Sequence, residues 1–173
     1  ITQFQAMNTA HTTYSTMHDD SIQTAINRLE NEPINVPRSM LQSLDILAVQ
    51  VISHRQGERV RRTRAVSEVL DVDQRTGDLD YQTVFRWETA EDAFESRAAG
   101  SRVLAEIREE RGWSELEMDR ELRDRERVLA YASQQGLTDY QAFTALVNDY
   151  YTDKSAVLAR VDGSAAVDVA ATE

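Results

Sequence analysis

The stretch Ile46-Leu47-Ala48-Val49-Gln50-Val51-Ile52 constrains the fold more than any other part of this chain. It is short, almost continuously apolar, rich in β-branched residues and bounded by polar ones. That pattern predicts a strand with both faces buried, as in a parallel sheet with helical crossovers. Ahead of it, His11 to Met17 is rich in Thr, Tyr and Ser and reads as an earlier strand. Between the two, Asp20 or Ser21 can N-cap a helix whose stripe is Ile22, Ala25, Ile26 and Leu29. Asn31-Glu32-Pro33 stops that helix, because the residue before a proline is pushed out of the α region. Pro37 suits a first helical turn, and Met40, Leu41 and Leu44 outline a short second helix. Strand, helix and buried strand in succession predict an α/β architecture.

After Ile52 the pattern changes twice. Gln56-Gly57-Glu58 is a turn, followed by a strand from Arg59 to about Leu70. Gln74 to Asp78 is a second turn in which Gly77 can supply positive φ. Tyr81, Thr83, Phe85 and Trp87 then alternate onto one face, so the two strands should form an antiparallel hairpin. Beyond Trp87 the chain becomes helical and highly charged. Thr89-Ala90-Glu91-Asp92 resembles a capping box, and Val103, Leu104 and Ile107 form a stripe that ends at Gly112. Ser114-Glu115-Leu116-Glu117 opens a helix to Gln135 with Met118, Leu122, Leu129 and Ala132 on one face, and Gly136 suits its C′ position. Thr138-Asp139-Tyr140-Gln141 opens the next, with Tyr140, Phe143, Leu146, Val147, Tyr150 and Tyr151 on its apolar face. A short last helix carries Val157, Leu158 and Val161. The organisation expected is strands and helices over 1–88, a helical domain over 89–162, and a disordered small-residue tail over 163–173.

Charge narrows the function. The 173 residues carry a net charge of −11, whereas a duplex-binding domain carries the opposite sign. Nucleic acid is therefore not an expected partner, although Arg59, Arg61, Arg62 and Arg64 form one local basic stripe. Lys154 is the only lysine. Such a chain fits adaptation to high salt, and a GC-rich genome that favours arginine codons gives the same pattern. Cysteine is absent, which excludes disulfides and thiolate metal sites. No apolar run approaches transmembrane length, so no direct membrane insertion is expected. The chain opens on Ile1 inside what reads as a structured segment, which suggests a fragment of a longer protein.

His11 and His18 are the first candidates for chemistry. Two isolated histidines are ordinarily surface groups or hydrogen-bonded core. Asp19 and Asp20 beside His18 could add metal ligands, but no His-x₃-His or comparable spacing is present. A histidine at the end of a strand and the start of a helix lies where α/β folds bind phosphate. The two carboxylates oppose an anion there unless they turn away to cap the helix. Arg61 and Arg62 are the second candidates, since a guanidinium forks two hydrogen bonds to a phosphate. Their plain alternative is a solvated strand face paired with Glu58 and Glu68. A phosphate-binding loop of the G-x-x-x-x-G-K-[ST] type needs a lysine, and Lys154 stands in a Gly-free context between Asp153 and Ser155. This chain therefore carries no such loop.

Met7 to Ser21 resembles the histidine box of the type II/IV secretion ATPases. The continuation Arg28-Leu29-Glu30-Asn31-Glu32-Pro33-Ile34-Asn35-Val36-Pro37-Arg38 resembles their archaeal branch, which drives archaellum and type IV pilus assembly. Leu44-Asp45-Ile46, Arg61-Arg62 and Ser67-Glu68-Val69 add to the resemblance, which covers essentially the whole chain. It implies the C-terminal part of a RecA-like ATPase core, a mixed sheet with flanking helices and an antiparallel hairpin, followed by a small all-α domain. The parent would be a hexamer coupling hydrolysis of ATP, with Mg²⁺, to secretion or filament assembly. It would be cytoplasmic, peripheral at the inner face of the membrane and docked on a polytopic platform protein. His11 and His18 match the box histidines, which lie near the γ-phosphate. Arg61 and Arg62 match basic positions that contact nucleotide or a neighbouring subunit. The fragment alone is expected to hold no nucleotide and to be inactive. Ala10 stands where the family commonly has glycine, and Asp19 where a small residue is usual. The alternative is a non-catalytic interaction module, or a degenerate paralogue, docking on a secretion-system partner through the helix of Tyr140, Phe143 and Tyr150.

Overall fold

A computed structural model describes residues 2–9, 11–73, 75 and 78–170, with the backbone alone at 2, 3, 8 and 164–170. Ala10, Gln74, Thr76 and Gly77, and with them the positive φ expected of Gly77, lie outside the described residues. The chain divides into two compact units, Ile1–Ile107 and Arg108–Glu173.

The first unit opens with helix α1 (Thr2–Asn8), which the sequence did not predict, and continues with α2 (Ile22–Glu30) and α3 (Arg38–Leu41). A sheet of β1 (Ile46–Arg55), β2 (Glu58–Val72), β3 (Leu79–Glu88) and β4 (Ala93–Ser96) follows, then a 3₁₀ turn and the start of α4 (Arg102–Arg111), whose last turn belongs to the second unit. Strand order is β1-β2-β3-β4, and all three pairings are antiparallel. The predicted β2–β3 hairpin is present. The two-sided burial predicted for β1 is not. β1 is an edge strand whose residues alternate, with Leu47, Val49 and Val51 half-buried and Ile46, Ala48 and Ile52 exposed. Apolar residues on both faces of an edge strand produced the misleading run. The strand expected over His11–Met17 is also absent: those residues have no regular structure. Their hydroxyl-rich composition favours pleated backbone only where a neighbouring strand completes the hydrogen bonds.

The core of this unit lies where the helices cover the sheet. Phe4, Ile22, Ile26, Val36, Leu41 and Leu44 meet Val69 and Leu79, with Leu47, Val49 and Tyr81 packed at the margin. The stripe read from the sequence of α2 is the buried one, with Ile22, Ala25 and Ile26 inside.

β4 is a further departure. The Thr89–Asp92 segment, expected to start a helix, is a turn in which Asp92 adopts φ 54°. Its carboxylate accepts both prongs of the Arg62 guanidinium at 2.8 Å and the Trp87 indole N–H at 2.8 Å. These long-range bonds fold the chain back onto β3 and override the local capping pattern.

The sheet is tied to α4 by a buried carboxylate. Glu68 is 2% exposed. It accepts from the Ser101 hydroxyl, from the Arg102 backbone N–H at 2.8 Å and from Gln82 Nε2 at 3.0 Å. Ser101 Oγ in turn accepts from Leu104 N and so caps α4. Burial pushes the Glu68 pKa up, but these three donors, with the Val103 backbone N–H, outweigh it and hold the group below its ordinary value.

The second unit holds α5 (Glu115–Gln134), α6 (Tyr140–Thr152) and α7 (Lys154–Ala170). The Ser114/Glu117 capping box forms as predicted, and Gly136 takes φ 64° just past α5. The cap of α6 falls on Asp139, one residue later than the Thr138 pattern suggests, and accepts from Ala142 N at 2.9 Å. The core joins Val128, Ala132, Leu146, Tyr150, Val157 and Val161. The stripe expected on α5 is therefore displaced: Met118 and Ala132 are buried, but Leu122 and Leu129 are 37% and 54% exposed. Backbone helicity continues past Gly163 to Ala170, across small residues expected to lack structure. Alanine has the highest intrinsic helix propensity, and this stretch is rich in it.

Candidate functional site

The histidine segment reaches α2 through a well-defined entry. Ser21 is the N-cap: its hydroxyl accepts from Thr24 N, and its own N–H donates to Thr24 Oγ1, both at 3.2 Å. This closes a reciprocal capping box in which threonine plays the part usually taken by glutamate.

The two acidic residues ahead of the cap turn aside. The Thr24 hydroxyl donates to Asp20 Oδ1 at 2.9 Å. Hydrogen bonds from Thr24 and then Ser21 hold the Asp20 carboxyl below its ordinary pKa. Asp19 is 10% exposed at its side chain, and its Oδ2 lies 3.4 Å from Arg28 Nε. That oxygen makes no hydrogen bond, so Arg28 holds it by charge. Arg28 also donates from Nη1 to the His18 carbonyl at 2.7 Å. From β2, Arg64 donates to the Asp20 carbonyl at 3.3 Å.

A shallow, open depression results, lined by His18, Asp19, Asp20, Thr24 and Arg28. An imidazole and a half-exposed guanidinium face solvent there, and each neighbouring carboxylate already has a partner. Chemically this is a surface that can offer hydrogen bonds to an anion from one side. Among the described residues, no group of three or more His, Asp or Glu is placed to hold a metal ion.

The other predicted site residues lie elsewhere. His11 is exposed, and its Nδ1 contacts the Thr9 hydroxyl and carbonyl, both at 3.1 Å. It does not line the depression. Arg61 is exposed on β2 opposite Ile52. Arg62 commits its fork to Asp92 and donates from Nη1 to the Arg61 carbonyl. The Arg62 guanidinium beside it, with the Trp87 N–H, holds the Asp92 carboxyl well below the carboxylate range. The pairing of these arginines with Glu58 and Glu68 is not found for Arg62, because Asp92 takes it and Glu68 is buried.

Sequence reasoning did not single out Thr24 and Arg28 as partners of His18. Thr24 and Arg28 lie four apart on one face of α2, but nothing in that spacing points to His18 as their neighbour. Arg64 was legible only as part of a basic stripe. The register explains its aim, since Val49 pairs with Ala65 and Gln50 with Thr63, leaving Arg64 as the extra residue of a β-bulge.

Residues 90–173, a little under half of the chain, match the family described as PilB3-like, C-terminal. Three relatives come from Methanocaldococcus jannaschii. The uncharacterized protein MJ1287 is 38% identical over 126 residues, which is 73% of this chain and 46% of that protein. MJ0900 is 26% identical over 86% of this chain and 27% of its own length, and MJ0781 is 25% identical over 83% and 20%. This chain thus spans about half the length of the first relative and about a quarter and a fifth of the others. Alignments over 73% to 86% of the chain necessarily reach well ahead of residue 90. The C-terminal part of this chain carries a PilB3-like, C-terminal segment, and its likeness to archaeal proteins extends into the sheet-bearing part before it.

Proposed function

We propose that this chain is the C-terminal portion of a secretion or pilus-assembly ATPase, in which His18 faces the γ-phosphate of ATP bound mainly by other parts of the protein. The observation that carries this reading is the His18 depression at the start of α2. Its imidazole and Arg28 face outward while Asp19 and Asp20 are turned to Arg28 and Thr24. The Arg28 charge thereby offsets Asp19, while Asp20 is turned to the Thr24 hydroxyl and keeps its charge. The PilB3-like match over residues 90–173 supports the same reading.

In this reading the antiparallel sheet is the outer part of a RecA-like core. Among the described residues β1 has a neighbour on one side only, and its other edge is where the rest of the core sheet would join. ATP would bring Mg²⁺, held by motifs this chain does not contain. His18 donates a hydrogen bond to a phosphate oxygen, and its position reports whether that oxygen is present. His11, which does not line the depression, would reach the same site only by leaving Thr9. Arg61 and Arg62 contact nucleotide or an adjoining subunit, Arg62 doing so only by leaving Asp92. The whole protein is a hexamer, cytoplasmic and peripheral at the inner membrane face, docked on a polytopic platform protein. The acidic, lysine-poor composition suits an archaeal, salt-adapted source.

The test is His18→Ala in the full-length protein. ATP turnover should fall by about a hundredfold, in the range lost with a positioned hydrogen-bond donor. Unchanged turnover together with unchanged filament output would sink the assignment.

A second reading is favoured by exposed aromatics on α6. Tyr140 is 84% and Tyr151 70% exposed, with Phe143 beside them, whereas Tyr150 belongs to the core. An interaction module would use that face and have no need of His18. Replacing Tyr140 and Tyr151 by serine would then abolish assembly output while His18→Ala left it intact.

A further inference from the structure

Residues 11–19 have no regular structure, and most of their side chains are exposed. A segment of this kind is ordinarily among the least ordered of a domain. Its last residues and the adjoining Asp20 are nevertheless held from outside at three points. The His18 carbonyl takes a hydrogen bond from Arg28 Nη1 at 2.7 Å. The Asp19 carboxylate lies nine-tenths buried against Arg28 Nε. The Asp20 carbonyl takes a hydrogen bond from Arg64 Nη1. His11, by contrast, is held by contacts to Thr9, two residues away.

The two arginines come from different elements. Arg28 lies on the face of α2 that also carries the capping residues. Arg64 is the bulged residue of β2, and a bulge re-aims a side chain that would otherwise follow the strand's alternation. A guanidinium can fork to a carbonyl and a carboxylate at once, which an ammonium on a flexible stem cannot do with the same geometry.

We infer that Arg28, assisted by the bulged Arg64, is a positioning residue for His18, fixing the backbone from the His18 carbonyl to Asp20 so that the ring meets a phosphate at the start of α2. The inference rests on the role proposed for His18, but the positioning itself can be read without any nucleotide. The chain has three histidines, His11, His18 and His54, so imidazole NMR signals resolve them simply. In the 173-residue chain, Arg28→Gln should shift the His18 ring signals and lower ¹⁵N order at His18, Asp19 and Asp20, with His54 unmoved. Arg64→Gln should do the same more weakly. Arg28→Lys should recover part of the order, because one of its two acceptors is still reached. A merely stabilising arginine would lower the melting temperature without moving His18. His18 signals unchanged in both glutamine variants overturn the inference.

In the full-length protein Arg28→Gln should lower kcat about tenfold, as for loss of one charged hydrogen bond, with KM little changed. If the His18 signals move but neither Arg28→Gln nor His18→Ala alters turnover, the positioning stands and the phosphate role of His18 falls. If His18→Ala is inactive and Arg28→Gln is fully active, the inference falls and the role of His18 stands.

Discussion

Both units bury carboxylates, and they satisfy them in opposite ways. In the first, Glu68 is surrounded by neutral donors: a serine hydroxyl, a glutamine amide and a backbone N–H. In the second, Glu121 and Asp124 are met by cations. Lys154 lies 2.5 Å from Glu121 Oε2 and 2.8 Å from Asp124 Oδ2, and its ammonium sits 5.6 Å from the centre of the Tyr150 ring. Arg125 and Arg127 add ion pairs to Glu121 and Asp124, and Tyr150 donates to Glu121 at 3.1 Å. Burial opposes the charged form of Lys154, but Asp124 and Glu121 outweigh it and raise its pKa. The chain's only lysine thus occupies the first position of α7, where its charge opposes the helix dipole, because two carboxylates of α5 are waiting for it. Neutral donors fix direction and leave the carboxylate's charge in place. Cations neutralise it and tolerate a looser geometry.

The sharpest way to break this comparison is to remove the buried carboxylate. Glu68→Ala leaves Ser101, Gln82 and the Arg102 amide without their acceptor and should destabilise the first unit by about 3 kcal/mol. Trp87 lies in this unit and Trp113 in the other, so urea unfolding followed in a Trp113→Phe background reads the first unit alone. A loss below about 1 kcal/mol would mean that the donors simply find water. The matching change in the second unit, Lys154→Met, should have a smaller effect, about 2 kcal/mol, because the lysine side chain is 36% exposed and partly solvated. Lys154→Arg should lose roughly 1 kcal/mol, since a planar fork does not replace a compact ammonium between two carboxylates. Unfolding monitored at Trp113 in a Trp87→Phe background ranks these two; equal stability of Lys154→Arg and wild type would show that charge alone matters.

Acid distinguishes the two regions further. Glu68 and Glu121 both have pKa values lowered from the ordinary 4.5. Each therefore contributes stability above its unfolded pKa and loses it as pH falls through the lower folded value. Both units should weaken below about pH 4.5, where the unfolded chain begins to take up protons. Glu68→Gln should flatten that acid limb in the first unit while leaving it intact in the second. An unaltered limb at Trp87 would remove Glu68 from the account.

What could be read from the sequence divides along the same line. Features set by neighbours in the chain were legible: the Ser114/Glu117 cap, the cap at Ser21, the glycine after α5, the β2–β3 hairpin and the inner stripe of α2. Features set by distant partners were not. The apolar run of β1 cannot announce that one face is bare, because exposure depends on what lies beside the strand. β4 hides behind a capping pattern that Arg62 and Trp87 overrule through Asp92. At the candidate site, His18 was legible as a histidine before a helix. Its holders were not, since Arg28 acts across ten residues and Arg64 across forty-four.

Salt is the finest probe of the difference. A carboxylate held by neutral donors has no Coulombic partner to screen, whereas the Lys154 cluster has two carboxylates beside a partly exposed ammonium. A double-mutant cycle between Lys154→Met and Glu121→Gln should give a coupling of about 1 kcal/mol in 0.1 M salt that falls by a few tenths in 1 M salt. The equivalent cycle between Ser101→Ala and Glu68→Gln should keep its value. Against both stands the whole chain's charge of −11, whose self-repulsion salt relieves, so the parent protein should gain stability over the same range. The cycle cancels that global gain, and only the local term remains. Equal salt dependence of the two couplings would show that Glu68 is held by charge after all.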